Sequence, residues 1–248
     1  MTTKTRNQEK QRLRAERAAA ALKEKQRRER RRQLLTLVGV VVAIAVIITG
    51  GYLVNSMRDT PVKAEDVPAA GSGSGLTIGS SSAPHKVVVY EDFLCPYCGE
   101  LEKATHTRLE QLAADGKVQV EYRPIVFLGR LGPYSARAAL IWWLVDQKYG
   151  AAAGQKFHDL LFANQPSETG PFPSREDLYK LAAQAGADPD KIAKALADNE
   201  GVQEIADATR AAQKAGVNST PTILLDGKQF TNGRTIDDLA TNLLNALQ

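Results

Sequence analysis

Cysteine is scarce in this chain, which holds two cysteines, three histidines and two methionines in 248 residues. So few cysteines exclude a scaffold of several disulfides, and a bridge between Cys95 and Cys98 would close a loop of only four residues. Such a loop removes little chain entropy, roughly 2 kcal/mol against about 3 kcal/mol for a 15-residue loop. A disulfide that only stabilises the fold is therefore the weaker explanation of the two cysteines.

Few side chains are available to complete a metal site around the two thiols. A zinc ion needs four protein ligands, or three and a water molecule, and the candidates are His85, His106 and His158. If His106 lies on the same helix as Cys98, it stands about 12 Å further along the axis, beyond coordination distance. His85 and His158 stand among ordinary polar and core-type residues. The sequence predicts no metal site and leaves a copper-handling module as an alternative.

The context of the two cysteines favours redox chemistry. An apolar stretch at 86–90 predicts a buried strand, and apolar residues recur at helical spacing over 101–112. The cysteines therefore stand at a strand-to-helix turn, where free N–H groups and the helix dipole favour a thiolate. Pro96 suits the first helical turn, since it has no N–H group to leave unpaired. We predict that Cys95 is the exposed attacking sulfur, with a lowered pKa, and that Cys98 resolves its mixed disulfides.

An uncharged run of 25 residues, 33–57, stands near the start of the sequence. As a helix it would be about 37 Å long, enough to cross a hydrocarbon core about 30 Å thick. A buried helix of a soluble protein is the alternative. Because cleavable signal peptides usually have shorter charged and apolar regions, we predict an uncleaved transmembrane signal-anchor helix.

Positive charge is concentrated before this run. Residues 1–32 hold 13 Lys or Arg and four Glu, whereas the remainder carries more acidic than basic residues. A basic block beside a membrane helix stays in the cytoplasm, so we expect a single-pass protein of the bacterial cell membrane whose C-terminal part is extracytoplasmic. Such a block can also bind nucleic acid, but anionic lipid headgroups explain it beside a membrane helix. We predict no nucleic-acid partner.

Composition predicts four regions, which are a basic cytoplasmic tail (1–32), the transmembrane helix (33–57), a flexible linker (58–75) and an extracytoplasmic domain (76–248). Thiols exported from the cytoplasm meet oxidising conditions. A domain there with a single pair of cysteines favours catalysis over scaffolding.

Within that domain, strand and helix signals alternate along the chain. The Asp226-Gly227 pair between two strand-like runs predicts an antiparallel hairpin, and Pro124 either ends the second strand or places it on an edge. The predicted strands are 86–91, 118–127, 222–225 and 228–230, with four or five helices in an insertion at about 134–215 and a final helix at 235–247.

Three segments, 90–98, 157–165 and 216–222 with the following 226–228, resemble the DsbA-type thiol:disulfide oxidoreductases of the thioredoxin fold. The resemblance spans roughly 80–245. It implies an α/β thioredoxin fold with an inserted helical subdomain. It also implies that Pro221 is cis and that Thr220, just before it, presents its backbone to an extended substrate peptide.

Two positions depart from the family's pattern. Many members carry histidine at the position of Tyr97, and a histidinium favours a nearby thiolate, whereas a tyrosine hydroxyl can only hydrogen-bond or pack. The buried carboxylate that thioredoxin-like proteins often hold six residues before the first cysteine is replaced by Val89. Glu91 and Asp92 follow, and we expect them either to assist proton transfer near the sulfurs or to form a solvated strand end.

The resemblance implies an enzyme that introduces disulfides into exported cysteine-containing proteins. Cys95 takes the mixed disulfide, Cys98 resolves it, and a DsbB-like or VKOR-like membrane partner reoxidises the pair. We expect no cofactor beyond the redox-active Cys95–Cys98 disulfide, and a monomeric catalytic domain. The alternatives are an extracytoplasmic reductase or isomerase, and a module that binds clients or copper without turnover.

Overall fold

A computed structural model of the protein describes residues 75–248. The predicted tail at 1–32, the predicted transmembrane helix at 33–57 and all but the last residue of the predicted linker lie outside this range. Among the helices of 75–248, none combines the length and the apolar character that crossing a membrane requires.

A five-stranded sheet forms the centre of the domain. Its strands lie in the order β1-β3-β2-β4-β5, and β2 pairs with β3 in parallel while the other neighbours are antiparallel. The strands are β1 (Leu76–Ile78), β2 (His85–Glu91), β3 (Val118–Pro124), β4 (Thr222–Leu225) and β5 (Lys228–Gln229).

The predicted strands are confirmed, with two corrections at β3 and one addition. β3 ends at Pro124 rather than at residue 127, and because it lies between β1 and β2 the edge alternative is wrong. Proline has no N–H group to continue the ladder. β1 was not predicted, since three residues are too few to show an alternating pattern.

Helices cover the sheet, and five of them lie between β3 and β4. The breaks between them fall at Gly150 and Gly201, which have positive φ angles of 85° and 80°, and at the loops 164–174 and 185–188. The helices are α1 (Pro96–Ala114), α2 (Tyr134–Tyr149), α3 (Ala151–Ala163), α4 (Arg175–Gln184), α5 (Pro189–Ala197), α6 (Val202–Lys214) and α7 (Ile236–Ala246).

The predicted hairpin joins β4 to β5. Asp226 and Gly227 both adopt positive φ angles, 50° and 78°, as a tight two-residue turn between right-twisted strands requires. The Asp226 carboxylate also accepts a hydrogen bond from the Lys86 N–H at 2.8 Å. The turn therefore fixes the start of β2, the strand that leads to the cysteines.

Side chains alternate across β2 into two separate cores. Val87 and Val89 pack in a large cluster with Phe93, Trp142 and other residues of the helices. Tyr90 points to the opposite side, where it joins a smaller cluster with Leu224 and residues of 212–217.

A buried ion pair lies at the carboxyl end of β3. The guanidinium of Arg123 donates two hydrogen bonds to the Glu121 carboxylate, at 2.9 and 3.0 Å, and a third to the Tyr90 hydroxyl at 2.9 Å. The Arg123 and Glu121 side chains expose only 3% and 2% of their surface. This pairing gives both charges the partners that burial demands.

Candidate active site

The first cysteine lies at the N-terminus of α1, as predicted. Cys95 is the N-cap residue, and Pro96 is the first residue of the helix. The Cys95 N–H donates to the Asp92 carbonyl at 2.9 Å, and the N–H groups of Cys98 and Gly99 donate to the Cys95 carbonyl. The turn thereby places the sulfur at the positive end of the helix dipole.

The prediction of an exposed attacking sulfur is wrong, because Cys95 exposes only 4% of its surface. The loop before β4 lies against it, and its thiol donates a hydrogen bond to the Thr220 carbonyl at 3.3 Å. The pKa of Cys95 is nevertheless lowered to about 7, first of all by a hydrogen bond from Cys98. The Thr220 side chain and the N–H groups of Cys98 and Tyr97 lower it further, against the opposing effect of burial.

Cys98 has the opposite character. It exposes 2% of its surface, and burial raises the pKa of its thiol well above the usual range. The hydrogen bond to Cys95 and the charges of Cys95 and Glu91 raise it further. Since a thiolate is the nucleophile in disulfide exchange, the opposite pKa shifts favour Cys95 over Cys98 as an attacking sulfur at neutral pH.

A groove runs beside Cys95. The peptide bond between Thr220 and Pro221 is cis, as the resemblance implies. Tyr97, with 58% of its surface exposed, lines a cavity of about 480 Å³ together with this loop, Phe230 and Ile236. The groove has the mixed backbone and apolar lining that suits an extended peptide.

Gln165 holds the active-site turn from the side of the helical insertion. Its side-chain amide donates to the carbonyls of Phe93 and Cys95, at 3.0 and 2.9 Å. A Cβ atom at Gly99 would lie 2.4 Å from the Gln165 amide oxygen, so a larger residue there would displace the Gln165 amide. Gln165 had no predicted role of its own, although it ends one of the three segments that carry the resemblance.

Asp92 is buried, and the expectation of a solvated strand end is wrong for it. Its carboxylate accepts four hydrogen bonds, which come from the N–H groups of Leu94, Phe127 and Leu128 and from the Ser135 hydroxyl, at 2.6 to 2.9 Å. The chain turns sharply after β2 and brings these donors around the carboxylate. Asp92 therefore connects the turn, the segment after β3 and helix α2.

Glu91 is also buried rather than solvated, and it pairs with a histidine that the sequence did not assign to the site. Its carboxylate oxygen lies 2.6 Å from His158 Nε2, and the side chains of both residues are almost fully buried. Burial raises the pKa of Glu91, and the charge of Glu91 raises that of Cys98. The only sequence signal for His158 is its place in the segment 157–165.

Two overlapping groups in 75–248 bring three potential metal ligands within reach of one another. One comprises Glu91, Glu102 and His158, and the other comprises Glu102, His106 and Asp159. Neither group includes a cysteine, and the side chains already form ion pairs among themselves.

The model of the family described as Thioredoxin matches residues 72–244. The chain belongs to this thioredoxin family. The mixed α/β thioredoxin-like fold with a helical insertion, as predicted, is thereby confirmed. Within the family this chain is DsbA-like, and its described domain belongs with the thiol:disulfide oxidoreductases.

Individual relatives support this placement in the thioredoxin family. Oxidised DsbA of Mycobacterium tuberculosis is 28% identical with a TM-score of 0.56, over 70% of this chain and 90% of that one. The probable disulfide bond formation protein D of Bacillus anthracis is 27% identical over 74% of this chain and 84% of its own length. The Na⁺/H⁺ antiporter NhaA 3 of Salinispora tropica is 32% identical over 68% of this chain. The match spans only about a quarter of that antiporter's length.

Proposed function

We propose that this protein is a membrane-anchored oxidoreductase that introduces disulfides into exported proteins containing cysteine. One observation carries the proposal, namely the opposite pKa shifts of two free thiols beside a groove suited to peptides. Cys95, with a pKa of about 7, is an effective attacking and leaving group near neutral pH, while Cys98 is held as a thiol.

Disulfide transfer then follows from the two cysteines. A client thiolate attacks the Cys95 sulfur of the Cys95–Cys98 disulfide, and Cys98 leaves and takes up a proton. A second client thiolate attacks the client sulfur of this mixed disulfide, and Cys95 leaves as a stabilised thiolate. The two electrons lost by the client thiols now reside on Cys95 and Cys98, so a partner must remove them before the next cycle.

Compartment, anchoring and partners form part of the same proposal. The basic tail (1–32) and the uncharged run (33–57) support a cytoplasmic N-terminus and a membrane helix, with the linker (58–75) leading to the extracytoplasmic domain (76–248). A DsbB-like or VKOR-like membrane protein would accept the electrons. The Cys95–Cys98 disulfide is then the redox group, and the domain works as a monomer without another cofactor.

Trapping of mixed disulfides tests the proposal. With Cys98→Ala the resolving thiol is missing, so we expect client proteins to accumulate in disulfide linkage to Cys95 in the cell envelope. Non-reducing gels followed by mass spectrometry would detect them. The matched control Cys95→Ala keeps Cys98 but removes the attacking sulfur, and it should trap none. If Cys98→Ala traps no more than this control, the proposed activity is wrong.

A specific observation favours a second candidate, a reductase or isomerase. Thioredoxin, a reductant, has an attacking cysteine with a pKa of about 7, whereas that of the oxidant DsbA is about 3.5. The pKa of Cys95 is about 7, and Tyr97 supplies no positive charge to lower it further.

The reduction potential separates the two candidates. The oxidase proposal expects a potential at or above about −180 mV, that of protein disulfide isomerase, when the full chain is equilibrated with glutathione buffers. A value near that of thioredoxin, about −270 mV, would assign the chain to the reductases. Tyr97→His is an internal standard, since a histidinium stabilises the thiolate and raises the potential by about 30 mV for a tenfold change in the equilibrium constant.

A further inference from the structure

The buried Cys98 needs a route for its proton. Its thiol is protonated at neutral pH and almost inaccessible to solvent. If the pair turns over as proposed, Cys98 must lose a proton before it attacks a mixed disulfide on Cys95. It must regain one each time it leaves as a thiolate.

A hydrogen-bonded chain of side chains leads away from this region to the surface. Glu91 Oε1 lies 2.6 Å from His158 Nε2, and His158 Nδ1 lies 3.3 Å from Asp159 Oδ1. The Asp159 side chain exposes 36% of its surface and lines an open pocket of about 660 Å³ between α1 and α3. His106 lies in the same pocket, with Nδ1 3.7 Å from Asp159 Oδ1. Cys98 lies one turn before Glu102 on the buried face of α1, and Glu102 Oε1 lies 4.0 Å from His158 Nδ1, so the chain leads from the side of α1 that carries Cys98 to solvent.

We propose that Glu91, His158 and Asp159 form a proton relay that serves Cys98. This inference rests on the proposed function, because only a cysteine that turns over needs such a route. Cys98 exchanges its proton with Glu91, directly or across one water molecule, and the two residues of the helical insertion pass the charge to the pocket. His158 acts through Glu91 and is a positioning and relay residue.

The proton transfers balance over the two halves of the cycle. In the oxidising half, Cys98 gives its proton to the free oxygen of the Glu91 carboxylate and attacks the Cys95 sulfur, which releases the bound thiolate. The His158 imidazolium then releases its Nδ1 proton to Asp159 and from there to solvent, while Nε2 keeps its proton and donates to Glu91. In the reducing half, Glu91 returns its proton to the Cys98 thiolate, and His158 regains one at Nδ1.

The surroundings suit this exchange. The titratable groups that face His158 are Glu91 on β2, Glu102 on α1, Asp159 on α3 and the Tyr122 ring on β3. Burial opposes the charge on His158, but Glu91, Asp159 and Glu102 outweigh it and raise the His158 pKa well above its usual value. Because burial also raises the pKa of Glu91, the pair can take up and release one proton while remaining hydrogen-bonded.

Single-turnover kinetics test the relay. In the full chain in detergent, a glutathione mixed disulfide on Cys95 is prepared under acidic conditions, and release of glutathione by Cys98 is followed from pH 5.5 to 9.5. We expect His158→Gln, whose amide donates to Glu91 but cannot lose a proton, to slow release about 10- to 100-fold near pH 6 to 7. The difference should narrow at high pH, where hydroxide deprotonates Cys98. Asp159→Asn should slow release less, by only several-fold, because His106 and solvent lie close by and can accept the His158 proton instead.

Two controls distinguish slow release caused by a broken relay from slow release caused by a disturbed fold. A further outcome would count against the proposed function instead. Glu110→Gln alters a carboxylate that contacts His106 but not His158, and it should keep the wild-type profile. Alkylation of Cys95, with its midpoint near pH 7, should stay within about twofold in every variant. A wild-type pH profile in both His158→Gln and the half-exposed Asp159→Asn would overturn the relay. By contrast, a wild-type chain that never releases glutathione would overturn the proposed function itself.

Discussion

Replacing Asp92 by alanine is expected to lower the free energy of unfolding by about 3–5 kcal/mol. The carboxylate is fully buried and accepts four hydrogen bonds. Its removal leaves three backbone N–H groups and the Ser135 hydroxyl without their acceptor, and two of these four hydrogen bonds are fully buried. An orphaned buried donor costs about 1–3 kcal/mol, although part of this is recovered when the chain relaxes.

Urea denaturation followed by tryptophan fluorescence measures the effect, with Asp115→Ala as the matched control. Asp115 is exposed at the end of α1, so its loss should change stability by about 0.5 kcal/mol or less. Asp92→Asn should fall between the wild-type chain and Asp92→Ala, because an amide keeps one acceptor oxygen but turns its NH₂ group toward other donors. If Asp92→Ala is no less stable than Asp115→Ala, Asp92 does not organise the turn.

Arg123→Met is expected to destabilise the domain by a similar amount, about 3–5 kcal/mol. The substitution leaves the Glu121 carboxylate buried and unpaired, and it removes the donor to the Tyr90 hydroxyl. A buried charge without a partner is far more costly than the intact pair.

A second substitution, at Glu121, separates the effect of losing the ion pair from the effect of leaving one charge unpaired. Arg123→Met combined with Glu121→Leu removes both charges and should recover most of the loss, because a buried ion pair adds little over apolar residues of similar volume. Urea denaturation of the wild-type chain, the two single variants and the double variant measures the coupling. Equal stability of Arg123→Met and the double variant would show that the unpaired Glu121 charge is not the cause.

Short-range signals in the sequence were sufficient to predict most of the strands, turns and helices. The Asp226-Gly227 turn requires two positive φ angles, which few other dipeptides adopt, and the structure has the hairpin there. Gly150 likewise ends α2, because glycine readily adopts the positive φ angle that interrupts a helix. These features depend on a few neighbouring residues, so one sequence is enough to identify them.

Contacts between distant segments could not be predicted in the same way. Glu91 and His158 are 67 residues apart, and neither periodicity nor spacing indicates that they meet. The same holds for Gln165, which reaches the Cys95 carbonyl from 70 residues away. Of the two alternatives for Glu91 and Asp92, the solvated strand end is wrong. Strand ends are usually exposed, but residues of the inserted helices contact this one.

The helical insertion has a second structural role, which its residues Ser135, His158 and Gln165 show through their hydrogen bonds. All three residues lie between β3 and β4, and they contact Asp92, Glu91 and the Cys95 carbonyl respectively. The five helices therefore supply polar partners to the catalytic turn itself rather than only extending the domain. Excising them would remove hydrogen-bond partners of two buried carboxylates and of the active-site backbone, so the insertion is an integral part of the active-site structure.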